Sequence, residues 1–372
     1  MISTKEDIEN FLNDKLFKKI FILCGKKSLP NSGAEILLKK LSKDKELIFF
    51  YKKSDFPKLE ELKEIIIQAK KFKPDLILAI GGGSVIDYAK IVNLVDDRKN
   101  LKDLIVNYSY PFEKKLSKLA VIPTTAGSGA EVTSNAVIYV DNIKYSFESE
   151  MLVPDYFFLI PEFIISAPNE IKSSAGFDAI AQAIESIVSK KSNPQSLEFA
   201  TKSLELSLDS YISSLKDANL KSASKMCIAS NLAGKAINIS KTTAPHAVSY
   251  PFTSLFNVSH GHAVGLFFED FFEFNFKNLA KSDTKFDLRK RFEIIFTLFK
   301  VKDFEGFKMK LLSIKEQANL ECNLNKLNID VNRNINKIIN GINLLRLGNN
   351  PVKVLESDII KIVLNKEKQY QK

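Results

Sequence analysis

All three histidines of this 372-residue chain, His246, His260 and His262, fall within residues 244–265, APHAVSYPFTSLFNVSHGHAVG. Imidazole does two things well near neutral pH: it moves protons, and it binds borderline metals through a neutral ring nitrogen. His246 and His260 are fourteen residues apart, too far to share one helical face, so a fold must bring them together around a common partner. A divalent cation is the simplest such partner, with a carboxylate completing its shell. Spacing alone leaves open that these are ordinary hydrogen-bonded histidines with no ion.

A second feature with chemical meaning is Gly81-Gly82-Gly83-Ser84. It lies between the apolar run PDLILAI and the helical stretch VIDYAKIVNLV, where free backbone N–H groups and the helix dipole attract an anion such as phosphate. Glycines there let the backbone approach a pyrophosphate closely and adopt positive φ. The pattern differs from G-x-G-x-x-G, so taken alone it also fits an ordinary turn. A similar turn, Thr124-Thr125-Ala126-Gly127-Ser128-Gly129, follows the next apolar run. Two such turns at successive strand ends point to a dinucleotide crevice.

The elements that must hold these turns are legible as periodicity. KKIFILC (18–24), ELIFFY and PDLILAI read as buried strands, with SGAEILLKKLSK and KLEELKEIIIQAKKF as helices between them. That βαβα rhythm predicts a parallel sheet covered by helices on both faces. NAVIYVDNIKYSF reads as a hairpin turning at 141–142, and YFFLIP as a further short strand. Beyond about residue 165 long helical segments take over, among them AGFDAIAQAIESIVSK, SLEFATKSLELSLDSYISSL and KSASKMCIASNLAGKAINIS. The expected division is a dinucleotide-binding α/β domain over 1–168 and a helical metal-binding domain over 169–372, sharing a cleft.

Composition narrows the function classes. With 45% hydrophobic and 26% charged residues the chain is globular. Its net charge of +10 comes from lysines spread among acidic residues rather than gathered in an aromatic-laced stripe, which argues against nucleic acid. No apolar run reaches the roughly 20 residues of a membrane span, and MISTKEDIENFLNDK lacks the apolar stretch of a signal peptide. A cytoplasmic protein without membrane association is expected. Cys24, Cys227 and Cys322 have no CxxC spacing, so neither a disulfide framework nor a cysteine zinc site is indicated.

Taken together, GGGSVIDYAK, IPTTAGSGAEVTSNAVI, GFDAIAQAIES, APHAVSYP and VSHGHAVG occur in the order in which the iron-containing (group III) alcohol dehydrogenases carry their motifs, and LLRLGNNPV is similar too. The chain therefore resembles that family and its dehydroquinate-synthase-like fold: a Rossmann-like α/β domain followed by an all-α domain. The resemblance places metal ligands at Asp178, Gln182, His246 and His260. Asp178 and Gln182, four residues apart, share a helical face, as two ligands from one helix must. Gln182 departs from the family, which normally has histidine there, and its amide oxygen is a weaker, harder ligand. Tyr250 also departs, standing where many relatives have a histidine near the substrate. Tyr250 and His262 are the candidate catalytic groups.

The resemblance further implies a nicotinamide cofactor held by Gly25, Gly81, Gly82, Gly83, Ser84, Asp87, Thr124, Thr125, Ser128 and Lys144, and a divalent metal, Fe(II) first and Zn(II) second. At the end of the first strand Gly25, followed by Lys26 and Lys27, stands where NAD-preferring relatives carry a carboxylate. The reading leans to NADP over NAD. The implied reaction is reversible reduction of an aldehyde to a primary alcohol. The segment AGKAINISKTTAPHAVSYP is most similar to the phosphonoacetaldehyde reductase branch, which would require cations for an anionic substrate, with Lys241 and Arg346 as candidates. A homodimer is compatible with this reading. The rivals are a general dehydrogenase of neutral aldehydes, a lyase or cyclase of the same fold, and a nucleotide-binding protein without catalysis.

Overall fold

The computed structural model describes residues 2–369 except Ser42, Lys43, Asp97, Asn142 and Ala218. Its strands are β1 (Lys19–Gly25), β2 (Glu46–Lys52), β3 (Leu76–Gly81), β4 (Lys118–Pro123), β5 (Asn135–Val140), β6 (Ile143–Glu148) and β7 (Tyr156–Phe157). Five of them form a parallel sheet in the order β2-β1-β3-β4-β7, while β5 and β6 pair as an antiparallel hairpin. The predicted hairpin turn falls partly on Asn142, which lies outside the described residues.

The sheet follows from continuous apolar runs. In β1, β3 and β4 nearly every residue is buried, as both faces of a covered parallel sheet require. Alternate side chains go to opposite cores: Phe21, Leu23, Ile77, Ala79 and Val121 pack with the helices Leu59–Phe72 and Gly83–Val92. Ile20, Ile22, Leu78, Ile80 and Ile122 pack with Ile8, Leu37 and Phe163 on the other side. β2, at the edge, buries only Phe50 fully. The helix expected over SGAEILLKKLSK is two short helices, Ser28–Ser32 and Ala34–Lys39, because Gly33 takes φ 77° and ends the first turn.

The chain divides into two compact units, Met1–Pro168 with Ala218–Asn231, and Asn169–Asp217 with Leu232–Lys372. The division is not a single cut. Residues 218–231 open the helix Leu220–Ser240 and cluster with the first unit, where Asn231 Nδ2 donates to the buried Glu131 carboxylate at 2.9 Å.

In the second unit the helix Asn169–Val188 is buried on all sides from Phe177 to Val188, which marks a central helix rather than an amphipathic surface one. Pro194–Lys216 packs along it; its Asn193 cap and Pro194 at the first helical position explain where it starts. The helices Ala244–Phe256 and His260–Gly265 carry the histidines and are separated by Asn257 in the left-handed region, φ 55°. Among the described residues no helix is long and apolar enough to cross a membrane.

Candidate metal centre and cofactor turns

The central helix presents Asp178, Gln182 and Glu185 on one face, at spacings of four and three residues. His246 comes from the next ligand helix, and His260 from the first residue of the helix His260–Gly265. Gly261 makes the last approach possible: a Cβ there would collide with the Ser174 carbonyl and come within 2.8 Å of Asp178 Cβ. Asp178, His246 and His260 then offer ligand atoms that all lie within 4.8 Å of one another. Asp178 is 4% and His246 3% exposed, while His260 is only partly buried, so two of the three metal-type donors are withdrawn from water and the third stands at the edge of the group.

Gln182, expected as a weaker ligand, adjoins this group. Its Nε2 donates to Asp178 Oδ2 at 3.0 Å, which fixes the amide's orientation, since a carboxylate can only accept. The amide oxygen is thereby turned the other way, buried, and among the described residues accepts no hydrogen bond. A buried acceptor left without a partner, on a side chain bonded to Asp178, is a polar atom that a bound cation could satisfy.

Sequence reading missed Glu185, wholly buried at 0% exposure. Its Oε2 binds His246 Nδ1, and its Oε1 accepts from the Thr243 N–H at 2.9 Å and hydroxyl at 2.8 Å. One carboxylate thus caps the His246 helix and orients its ring, leaving Nε2 at 3.1 Å from Asp178 Oδ1. Burial alone would lower the His246 pKa, but Glu185 and Asp178 outweigh it and push it up to about 9. Burial pushes the Asp178 carboxyl up, and the bond from His246 with the nearby His260 holds it below its ordinary value.

His262 is not in the donor group. Its Nε2 donates to the Glu321 carbonyl at 2.7 Å, and burial depresses its pKa, consistent with a neutral ring held in place. Tyr250, four residues after His246, is buried with its ring centroid 5.8 Å from that of His260. Burial raises the phenol's pKa against the Arg346 guanidinium, which hydrogen-bonds to it. The structure therefore brings Arg346 to Tyr250. Lys241 occupies a left-handed helix end, φ 58°, with its N–H on the Ile237 carbonyl. Asn349 of LLRLGNNPV brackets it, donating to Ser240 O at 2.8 Å and Thr242 O at 2.9 Å.

In the first unit, the register aligns Cys24 with Ile80 and Gly81 with Pro123, so the turns after β1, β3 and β4 leave one edge of the sheet together. The order β2-β1-β3 puts the topological switch between β1 and β3, where doubly wound sheets bind nucleotides. The two glycine turns meet beside it, past the ends of β3 and β4: a Cβ on Gly82 would lie 3.3 Å from Thr125 Oγ1, and one on Gly83 2.7 Å from Ser128 Oγ. None of Gly81, Gly82 and Gly83 has positive φ; only Gly129 does, at 59°. The expectation of left-handed backbone there is corrected: these glycines serve close approach.

Asp87, one turn into the helix that follows, has its carboxyl pushed up to about 6 by burial, against the pull of Lys90 and Lys144. Lys90, fully buried, donates to Thr133 O at 2.8 Å, Thr133 Oγ1 at 2.9 Å and Asn135 O at 3.0 Å. It locks the first glycine motif's helix to the segment after the second, which accounts for the lysine of GGGSVIDYAK. Lys26 and Lys27 are exposed at the end of β1.

Residues 3–161 match the iron-containing alcohol dehydrogenases, and residues 172–366 match the C-terminal domain of the Fe-containing alcohol dehydrogenase family. The chain belongs to the iron-containing alcohol dehydrogenase family. Among its relatives, a 4-hydroxybutyrate dehydrogenase of Clostridium kluyveri is 35% identical over 224 residues, 58% of this chain and 59% of that protein. The 1-propanol dehydrogenase PduQ of Citrobacter freundii is 29% identical over 261 residues, 69% of this chain and 67% of that one. The match spans only 26% of an aldehyde-alcohol dehydrogenase of Streptococcus pneumoniae. An iron-containing alcohol dehydrogenase of Thermotoga maritima superposes with TM-score 0.83 at 25% identity, covering 99% of this chain and 97% of that one. A sulfoacetaldehyde reductase of Bifidobacterium kashiwanohense, solved with NAD+, superposes with TM-score 0.86 over 99% and 96%; at 24% identity it attests the family fold.

Proposed function

We propose that this chain interconverts an aldehyde and a primary alcohol, using NADP(H) and one divalent cation, Fe(II) before Zn(II), held by Asp178, His246, His260 and the Gln182 amide oxygen. The observation that carries this reading is the donor cluster, buried at Asp178 and His246 and partly so at His260, with the Gln182 amide bonded to Asp178 and its oxygen left without a partner. A cation bound there supplies Lewis-acid polarisation of the substrate oxygen, and the nicotinamide supplies the hydride. The chain's residues do the rest. Glu185 keeps a proton on His246 Nδ1 so that Nε2 is the ligating nitrogen. Tyr250, its ionisation pushed up by burial, stays a hydrogen-bond donor. His262, tied to Glu321 through Nε2, holds its helix, and the proton-transfer role passes in this reading to the Tyr250 hydroxyl.

The substrate in this reading carries an anionic group, and phosphonoacetaldehyde, reduced to 2-hydroxyethylphosphonate, is the first compound to test. Arg346 beside Tyr250 supports an anion near the metal centre. So do the names of two similar proteins, whose compounds pair a reacting carbon with a carboxylate or a sulfonate. Lys241 is kept as the alternative cation. NADPH oxidation with a panel of anionic and neutral aldehydes, with and without chelator, is the experiment. Arg346→Ala should lower kcat/KM for the anionic aldehyde by about tenfold or more beyond whatever loss it causes, through Tyr250, on a neutral one; Lys241→Ala tests the alternative. Equal turnover of neutral and anionic aldehydes would leave a general aldehyde reductase, and no oxidation at all would refute the redox reading.

A further inference from the structure

Pro251 stands inside the helix Ala244–Phe256, one residue after Tyr250 and five after His246. A proline has no N–H, so the carbonyl four residues earlier, Ala247 O, loses the donor a regular helix would give it. That carbonyl is taken by another segment: the Asn343 N–H donates to it at 3.3 Å. Asn343 is the cap of the short helix Leu344–Gly348, and its Oδ1 accepts from the Arg346 N–H at 2.9 Å. Just before it, Gly341 packs so closely that a Cβ there would lie 2.9 Å from Pro251 Cβ. The proline therefore does two things at one place. It frees an acceptor for Asn343 and offers a flat ring to Gly341, seating the Arg346 helix on the helix that carries His246 and Tyr250.

We propose that Pro251 is a positioning residue for Arg346: through the Ala247 carbonyl and Asn343 it sets the guanidinium against the Tyr250 hydroxyl, and so determines how firmly an anionic substrate end is held. The consequence for substrate rests on the reading of Arg346 given above; the joint itself does not. The two are separable by experiment. In Pro251→Ala the restored N–H competes for the Ala247 carbonyl, and alanine, a good helix former, does not endanger the fold. Amide exchange of the 341–348 segment should then quicken by about tenfold, and KM for phosphonoacetaldehyde should rise by a similar factor. KM for a neutral aldehyde of equal length and the metal content should stay as in the parent. Gly341→Ala, which pushes the same segment off the ring while leaving Pro251 in place, should reproduce both effects. Combined with Arg346→Ala, Pro251→Ala should add no further rise in KM, because its effect passes through that residue. Unchanged exchange in both variants, equal losses on both aldehydes, or an undiminished effect in the Arg346→Ala background would overturn the proposal. If Arg346→Ala alone leaves the anionic KM unaltered, the substrate reading falls, and the exchange rates still decide whether the joint exists.

Discussion

Glu185 shows how a buried polar residue can serve two elements at once, capping one ligand helix while orienting that helix's histidine. Losing its charge should weaken metal binding without removing a ligand. Glu185→Gln is expected to lower metal affinity by roughly tenfold to a hundredfold, read by competition with a chromophoric chelator; parent-like affinity would show that the carboxylate only caps. Asp178, His246 and His260, which the structure brings together, were legible because their types and order form a known pattern, and Gln182 was singled out because it stands where that pattern has a histidine. Glu185 was not, since a glutamate in an apolar helix reads as noise until its spacing of seven from Asp178 is seen to put both on one face. The proposed preference for NADPH over NADH rests on Gly25. A Cβ at Gly25 meets the Ser28 hydroxyl, which can rotate away, so Gly25→Asp is best made with Ser28→Ala. The pair should reverse the coenzyme preference, compared as kcat/KM, because the new carboxylate repels a 2′-phosphate. A parent that already uses NADH as well as NADPH would contradict this.

The helix His260–Gly265 has only six residues and depends on its neighbours for position. Besides the His262 tie to Glu321, one hold is Gly261 against Ser174 and Asp178; another is Lys315, buried at 1% exposure, which donates to Gly265 O at 2.9 Å and to Glu269 at 2.6 and 2.7 Å. Lys366 reaches the same carboxylate and that of Asp270. Burial pushes the Glu269 pKa up, and the two lysines outweigh it and hold the carboxyl below its ordinary value. A depressed folded pKa means stability that is present above the unfolded value of about 4.3 and is lost as the pH falls through the folded one. Denaturation monitored against pH should show that loss in the parent and less of it in Glu269→Gln. The variant should itself be less stable near neutrality by about 3 to 5 kcal/mol, because Lys315 keeps a buried charge without its partner. An unaltered acid profile would contradict this. The strands were legible because residues such as Ile20, Ile77 and Val121 form runs buried on both sides of the sheet. The break at Gly33 was not, because the apolar pattern continues across it.

At the scale of the whole molecule, the donors of the metal centre and the glycine turns belong to different compact units. The shift in sequence character near residue 168 suggested a single boundary there, whereas the adherence of residues 218–231 to the first unit depends on contacts such as Asn231 with Glu131 that no local pattern encodes. In the proposed reading the metal and the coenzyme are held by separate units, so His246→Ala should lose its metal yet still bind NADPH with an affinity within about twofold of the parent, by fluorescence titration. Joint loss of both would indicate that the variant damages the fold. Metal content decides the central claim. Elemental analysis of protein purified without chelator should give one divalent cation per chain in the parent and close to none in His246→Ala, with NADPH-dependent aldehyde reduction disappearing in step. Full metal content and full activity in that variant would contradict the account.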